Sequence, residues 1–215
     1  MPHVVSFMAL NLPRLYPITD TLISGLPHAE QVRRLAEGGA TLIQLRDKHA
    51  APRDFYAAAR DAVQVARRLG VRVIINDRVD IAAAVGADGV HLGQDDLPPE
   101  KARALLGADR IVGFSTHTLE QALAANSAPV DYVAIGPAFR TVTKERPDPV
   151  VGLAAISEIR QGVSKPLVAI GGITLELARS VIEAGADSVA VISDLYSAGD
   201  VAARARMYFR LLENV

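Results

Sequence analysis

Short, almost unbroken apolar runs alternate along the chain with longer segments in which apolar and polar residues recur at a helical spacing. Eight such runs stand out: "LYPITD", "GGATLIQLRDK", "VRVIINDR", "GADGVHLGQDD", "RIVGFSTH", "PVDYVAIGPAF", "PLVAIGGI" and "GADSVAVISDL". Together they are rich in Val and Ile, and most run into polar residues. Continuous hydrophobicity of this kind predicts strands buried on both faces, as in a parallel sheet. Of the segments between them, "PRDFYAAARDAVQVARRLG" opens on a proline and "LELARSVIEAGA" follows Thr174 as an N-cap. Glycines close both, which predicts helices. Pro98-Pro99 gives the same start signal ahead of "EKARALLG", and Gly107 the stop.

Eight strands alternating with about eight helices predict an α/β fold, a single (β/α)8 TIM barrel. A doubly wound open sheet is the rival. Small-residue turns of the "GAD" type recur in every second unit, around positions 39, 87, 130 and 186. That rhythm suits a closed barrel better than a sheet with two edges. No linker or shift in composition divides the chain, so residues 1–215 read as one barrel domain, with 1–13 as an N-terminal extension.

Composition narrows the function. Of 215 residues, 50% are hydrophobic and 22% charged, enough for a sizeable core. The formal net charge of −1 offers no electrostatic case for nucleic acid or an anionic membrane surface. Cysteine is absent, which excludes disulfides, thiolate metal sites and cysteine nucleophiles. The N-terminal stretch has no basic n-region and no long apolar run, so neither a signal peptide nor a membrane span is expected and the expected location is cytoplasmic. A homo-oligomer is compatible with the chain but not specified by it.

In a barrel the active site forms where the strands end. The residues just after each apolar run are Gln44, Arg46, Asp47 and Lys48; Asn76 and Asp77; His91, Gln94, Asp95 and Asp96; Ser115, Thr116 and His117; Thr141, Thr143 and Lys144; Gly171 and Gly172; Ser193 and Asp194. Arg46, Lys48 and Lys144 are cations suited to the several oxygens of a phosphate or diphosphate. Asp77 and Asp96, from neighbouring strands, suit one hard cation such as Mg²⁺, which takes one or two carboxylates and leaves its other positions to water and phosphate. Gly171-Gly172 and Ile192-Ser193 follow strands 7 and 8, where barrels hold phosphate on backbone N–H groups. Two anion sites with a metal at one of them imply two phosphorylated substrates or one bisphosphate.

Each residue has a plainer reading in isolation. Asp77 could cap a helix beginning near Val79, Asp95-Asp96 could belong to a loop, and Arg46-Asp47-Lys48 could be a solvated charge run. Gly171-Gly172 could serve only a tight turn. His91 and His117 read as packing or hydrogen-bonding residues rather than bases. Their common position on one rim favours the site.

The ordered set "QLRDK" (44–48), "ND" (76–77), "HLGQDD" (91–96), "GFSTH" (113–117), "GPAFRTVTK" (136–144), "AIGGI" (169–173) and "VIS" (191–193) resembles the thiamine phosphate synthase family. The similarity runs from about Tyr16 to Ser193. It implies a transferase that joins 4-amino-2-methyl-5-hydroxymethylpyrimidine diphosphate to a thiazole phosphate, with Mg²⁺ as cofactor. On that resemblance the segment Gln44-Leu45-Arg46-Asp47-Lys48 binds the pyrimidine diphosphate, with Gln44 facing the pyrimidine. Asn76, Ser115 and Lys144 add diphosphate contacts, and Asp77 and Asp96 hold the metal. Thr141, Val142 and Thr143 receive the thiazole phosphate, with Gly172, Ile192 and Ser193 as its nest. Arg46, Lys48, Lys144 and Ser115 are the expected catalytic set. "TVTK" would bridge the two substrates, and "ERPDP" after it reads as a closing segment.

Two rivals remain at this level. A thiazole tautomerase would share the barrel and the Ser115-Thr116-His117 segment, but it needs no diphosphate and metal set. A non-catalytic phospholigand-binding barrel would keep the Gly172 and Ser193 nest without two carboxylates facing three cations. Two residues depart from the family pattern. Phe114 stands where a smaller aliphatic residue is common, and Asp194 follows the nest serine, where its charge would repel phosphate unless the side chain points away.

Overall fold

A computed structural model of the chain describes residues 10–141 and 149–215. Eight parallel strands close on themselves in sequence order, β1 (Leu15–Thr19), β2 (Leu42–Leu45), β3 (Arg72–Asn76), β4 (Gly89–Leu92), β5 (Ile111–Thr116), β6 (Tyr132–Ile135), β7 (Leu167–Ile170) and β8 (Ser188–Val191). Pairing of Tyr16 on β1 with Ala190 on β8 completes the ring. The sheet has no free edge, so the open-sheet alternative is excluded and the (β/α)8 barrel stands.

The helices follow the start and stop signals closely. Helices α1 (Thr21–Ser24) and α2 (His28–Glu37) follow β1, α3 (Pro52–Arg68) follows β2 and α4 (Val79–Val85) follows β3. Next come α5 (Pro99–Leu106), α6 (Leu119–Ser127), α7 (Gly152–Gly162) and α8 (Leu175–Glu183), then α9 (Ser193–Tyr196) and α10 (Val201–Leu212) after β8. Pro52 and Pro99 open their helices as expected. Thr174 occupies the N-cap position of α8, but its hydroxyl makes no capping bond. Among the described residues no helix is long and apolar enough to cross a membrane.

Side chains alternate across each strand, so every strand serves two cores. Leu15, Ile43, Val73, Val90 and Val133 face outward into the shell between barrel and helices. Tyr16, Ile18, Leu42, Ile74, Tyr132 and Val168 face inward and fill the barrel. Leu12, within the expected N-terminal extension, is buried in that inner cluster with Leu10 packed against it; residues 1–9 of the extension lie outside the described part.

The two-unit rhythm has a physical cause at the N-terminal end of the barrel. Asp88, just before β4, gives its N–H to the Val73 carbonyl and accepts the Val73 N–H on its carboxylate, at 2.9 and 2.7 Å. Asp131 repeats the exchange with Val112 and Asp187 with Leu167. Arg103 and Arg160 bind the carboxylates of Asp131 and Asp187. Each aspartate thereby satisfies a strand-end N–H that the ladder leaves open and pins an even strand to the odd one before it.

Candidate active site

At the other end of the barrel the strand ends surround a cavity of about 470 Å³, within the range that holds small-molecule ligands. Gln44, Arg46 and Lys48 line it from the β2 side, Asn76 and Asp77 from β3, Asp96 from the loop after β4 and Ser115 from β5. Thr141, Gly172, Ile192 and Ser193 line it from beyond β6, β7 and β8. The fold therefore brings together every described candidate except Leu45 and Asp47. Leu45 is an outward strand position, buried in the shell core. The carboxylate of Asp47 accepts the N–H groups of His49 and Ala50 and the Thr21 hydroxyl, and so shapes its own loop. Val142, Thr143, Lys144 and the "ERPDP" segment through Asp148 lie outside the described residues.

The two cations among the described candidates, Arg46 and Lys48, are held by acids. Arg46 donates to one carboxylate oxygen of Asp20, whose other oxygen caps α1 by accepting from Leu22 and Ile23. Asp20 was not among the residues singled out from the sequence, although its place directly after the first apolar run suits a helix cap. It performs that task and orients Arg46 as well. Lys48 is ion-paired with Asp77.

Asp77 is not a helix cap. It stands at φ 62°, the one non-glycine residue with positive φ among those described. Its neighbours close a tight three-residue turn, Arg78 N–H to the Asn76 carbonyl at 2.7 Å, while its own N–H binds the His91 carbonyl at 2.7 Å. Such a turn is rare and strained, and strain of this kind gathers at functional positions. The turn aims the carboxylate at that of Asp96. Burial first, and then the neighbouring Asp77 charge, push the Asp96 carboxyl above the usual carboxylate range. Two carboxyls crowded together in a cavity are chemically suited to a shared divalent cation. Among the described residues no group of three or more acidic or imidazole side chains forms a metal cage; a Mg²⁺ held by Asp77 and Asp96 would take its remaining ligands from water and phosphate.

On the far side of the ring, Gly171 and Gly172 take positive φ in succession, at 100° and 65°. Gly172 also lies against backbone: a Cβ there would sit 2.4 Å from the Arg140 carbonyl oxygen. The two departures from the family pattern become harmless. Phe114 is an outward position, packed against the shell core. Asp194 points away from the cavity, gripped by Arg204 at 2.9 and 3.0 Å and by the Tyr208 hydroxyl at 2.5 Å. Its charge is neutralised, and it anchors α9 behind Ser193.

Three inward-facing residues of the floor were not singled out as a group by the sequence reading: Tyr16, Tyr132 and His91. Burial pushes both phenols well up and the imidazole down to about 4, so all three are neutral. The register between strands brings them together, pairing both His91 and Tyr132 with the inward Gly113 of β5, and that register is not written in the spacing along any one strand.

Comparison with known proteins agrees with this geometry. A sequence model described as thiamine monophosphate synthase matches residues 15–195. The thiamine-phosphate synthase of Koribacter versatilis is 51% identical over 193 residues, covering 86% of this chain and 90% of its own. That of Syntrophomonas wolfei is 44% identical, covering 93% and 96%. Among solved structures, a thiamine phosphate pyrophosphorylase from Pyrococcus furiosus superposes with a TM-score of 0.86 at 39% identity, over 95% of this chain and 97% of that one.

Proposed function

The chain belongs to the thiamine monophosphate synthase family, and from that premise we propose how its rim residues divide the work of the reaction. Its activity is that of a thiamine-phosphate synthase, a transferase. The substrates are the pyrimidine diphosphate and the thiazole phosphate, and the products are thiamine phosphate and diphosphate.

In this reading Gln44 faces the pyrimidine, while Arg46, Lys48, Asn76, Ser115 and Lys144 bind the diphosphate. Leu45 and Asp47 contribute by shaping the segment that carries Arg46 and Lys48. Thr141, Val142 and Thr143 receive the thiazole phosphate, and Gly172, Ile192 and Ser193 cradle it with backbone N–H groups and the Ser193 hydroxyl. Asp77 and Asp96 would hold Mg²⁺, which supplies positive charge against the leaving diphosphate when bound.

The substitution is dissociative. The bond between the pyrimidine methylene carbon and the diphosphate oxygen breaks, and its electron pair leaves with the oxygen. The thiazole nitrogen then donates its lone pair to that carbon. No proton need be moved, so the contact of Ser115 with His91 at 2.8 Å is not called on as a nucleophile–base pair, and burial makes that imidazole a poor base. Arg46, Lys48, Lys144 and Ser115 act where negative charge grows, so they stabilise the transition state more than the bound substrate.

The observation that supports this division best is the cavity itself, with acids and cations from β2, β3 and β4 facing Gly171 and Gly172 beyond β7 and Ile192 and Ser193 beyond β8. A tautomerase or a phospholigand-binding barrel has no use for the first half. Because both substrates carry several charges and do not cross membranes unaided, we also propose a cytoplasmic location, with the whole chain acting as one domain.

Steady-state kinetics test the division. Lys48→Ala is expected to lower kcat and raise KM for the pyrimidine diphosphate, by about tenfold or more for a hydrogen bond to a charged group. Ser193→Ala is expected to raise KM for the thiazole phosphate alone. A uniform effect of either variant on both substrates would remove the assignment.

A further inference from the structure

A continuous line of buried hydrogen bonds crosses the barrel beneath the cavity. The Gln44 carboxamide nitrogen donates to the Tyr16 hydroxyl at 3.2 Å, and the Tyr16 and Tyr132 hydroxyls lie 3.1 Å apart. The Tyr132 hydroxyl is 2.9 Å from His91 Nδ1, and His91 Nε2 is 2.8 Å from the Ser115 hydroxyl. The rings are fixed around this line. Tyr132 stacks on His91 at 5.5 Å and meets Tyr16 edge-on at 5.9 Å. Gly113 is required beneath it, because a Cβ there would sit 2.0 Å from the Tyr132 ring.

We propose that Tyr16, Tyr132 and His91 are positioning residues that set the hydrogen-bonding direction of Ser115 and Gln44 together, so that the diphosphate and pyrimidine ends of one substrate are read by a single coupled element. The proposal rests on the functional division above. Each hydroxyl carries one proton and a neutral imidazole carries one, so the line has only two complete arrangements. In the first, Gln44 donates to Tyr16, Tyr16 to Tyr132, Tyr132 to His91 Nδ1, and His91 Nε2–H to Ser115. The Ser115 proton is then directed into the cavity. In the second, every donor is reversed: the Gln44 carboxamide is turned so that its oxygen accepts from Tyr16, and Ser115 spends its proton on His91.

A diphosphate offers Ser115 only acceptors, so its binding selects the first arrangement. That choice engages the Gln44 nitrogen with Tyr16 and leaves the Gln44 carbonyl oxygen as an acceptor for the ring. A pyrimidine carrying an amino donor beside the diphosphate arm satisfies both ends at once. A ring with an acceptor in that place satisfies one end at the expense of the other. Substrate choice is thus shared along the line rather than made by Gln44 alone.

The test uses the full-length protein with Mg²⁺ and inorganic diphosphate, labelled with ¹⁵N-histidine and assigned by loss of a signal in His91→Gln. The expected spectrum has bare Nδ1 and protonated Nε2 on His91. Protonated Nδ1 would overturn the proposal. In kinetics, Ser115→Ala is expected to raise KM for the pyrimidine diphosphate about tenfold. In a Tyr132→Phe background that factor should shrink at least threefold, because the bonds no longer act in series. Equal factors in the two backgrounds would refute the coupling. If Tyr132→Phe does not fold, Tyr16→Phe removes one oxygen from the same line and is read against Ser115→Ala in the same way. Failure of the unaltered protein to make thiamine phosphate would instead count against the functional reading.

Discussion

Replacing Gly172 by alanine separates backbone strain from close contact at the phosphate nest. Gly172 has φ +65°, and a Cβ there would meet the Arg140 carbonyl oxygen at 2.4 Å and Phe139 at 3.0 Å. Gly70 makes a matched control, since its φ is +69° with nothing within 4 Å of an added Cβ. The left-handed conformation costs alanine about 1–2 kcal/mol at either place. Only Gly172→Ala adds overpacking against backbone, about 1–3 kcal/mol. For a chain of this size each kcal/mol moves the melting temperature by about 2–4 °C, so the two variants should differ by roughly 2–12 °C. Because Arg140 adjoins Thr141, the same displacement should raise KM for the thiazole phosphate. Calorimetry and steady-state kinetics on both variants check this. Equal melting temperatures, or a Gly172→Ala enzyme with unaltered thiazole phosphate KM, would refute the reasoning.

Asp77→Asn keeps a residue that tolerates positive φ but removes the charge, so kcat should fall at least about a hundredfold, the scale of losing a preorganised charge at the reacting centre. Its half-exposed partner Lys48 adds little to stability, so the unfolding midpoint should shift by less than about 1 kcal/mol; a large loss of stability would recast Asp77 as structural. Asp194→Asn leaves Arg204 and Tyr208 short of their acceptor, and urea unfolding should register about 1–3 kcal/mol together with a raised thiazole phosphate KM; no change in either would remove its anchoring role. Burial lowers the pKa of both His28 and His91 below the usual 6.5, to about 4 for His91. The unfolded chain therefore binds more protons between those values, and stability falls as pH falls through that window, with His91 alone accounting for about 2 kcal/mol between pH 7 and pH 5. A urea midpoint that stays flat over that range, in the native protein, contradicts the burial argument.

The barrel was legible because buried parallel strands have no polar face to disguise them, and because proline and glycine mark the helix ends. The rim was legible for a related reason: a polar residue directly after an apolar run has left the sheet at its carboxyl end. Other features depend on geometry that spacing does not encode. Asp77 read equally well as a cap until its positive φ excluded that role. Asp194 looked like a liability because Arg204 and Tyr208 lie ten and fourteen residues away, on another helix. Tyr16 and Tyr132 passed as apolar strand residues, since only the alternation of faces reveals that their hydroxyls meet inside the barrel. The aspartates before β4, β6 and β8 were visible as a rhythm, but the strand-end bonds that make the rhythm necessary were not.

Metal-assisted joining of two phosphorylated substrates in one cavity can be decided by a single measurement. Its most direct test incubates the purified protein with the pyrimidine diphosphate and the thiazole phosphate, with Mg²⁺ or with EDTA, and follows thiamine phosphate and diphosphate together. Equal amounts of the two products are expected with Mg²⁺, and loss of both with EDTA. Product formation indifferent to EDTA, or none in either condition, would contradict it.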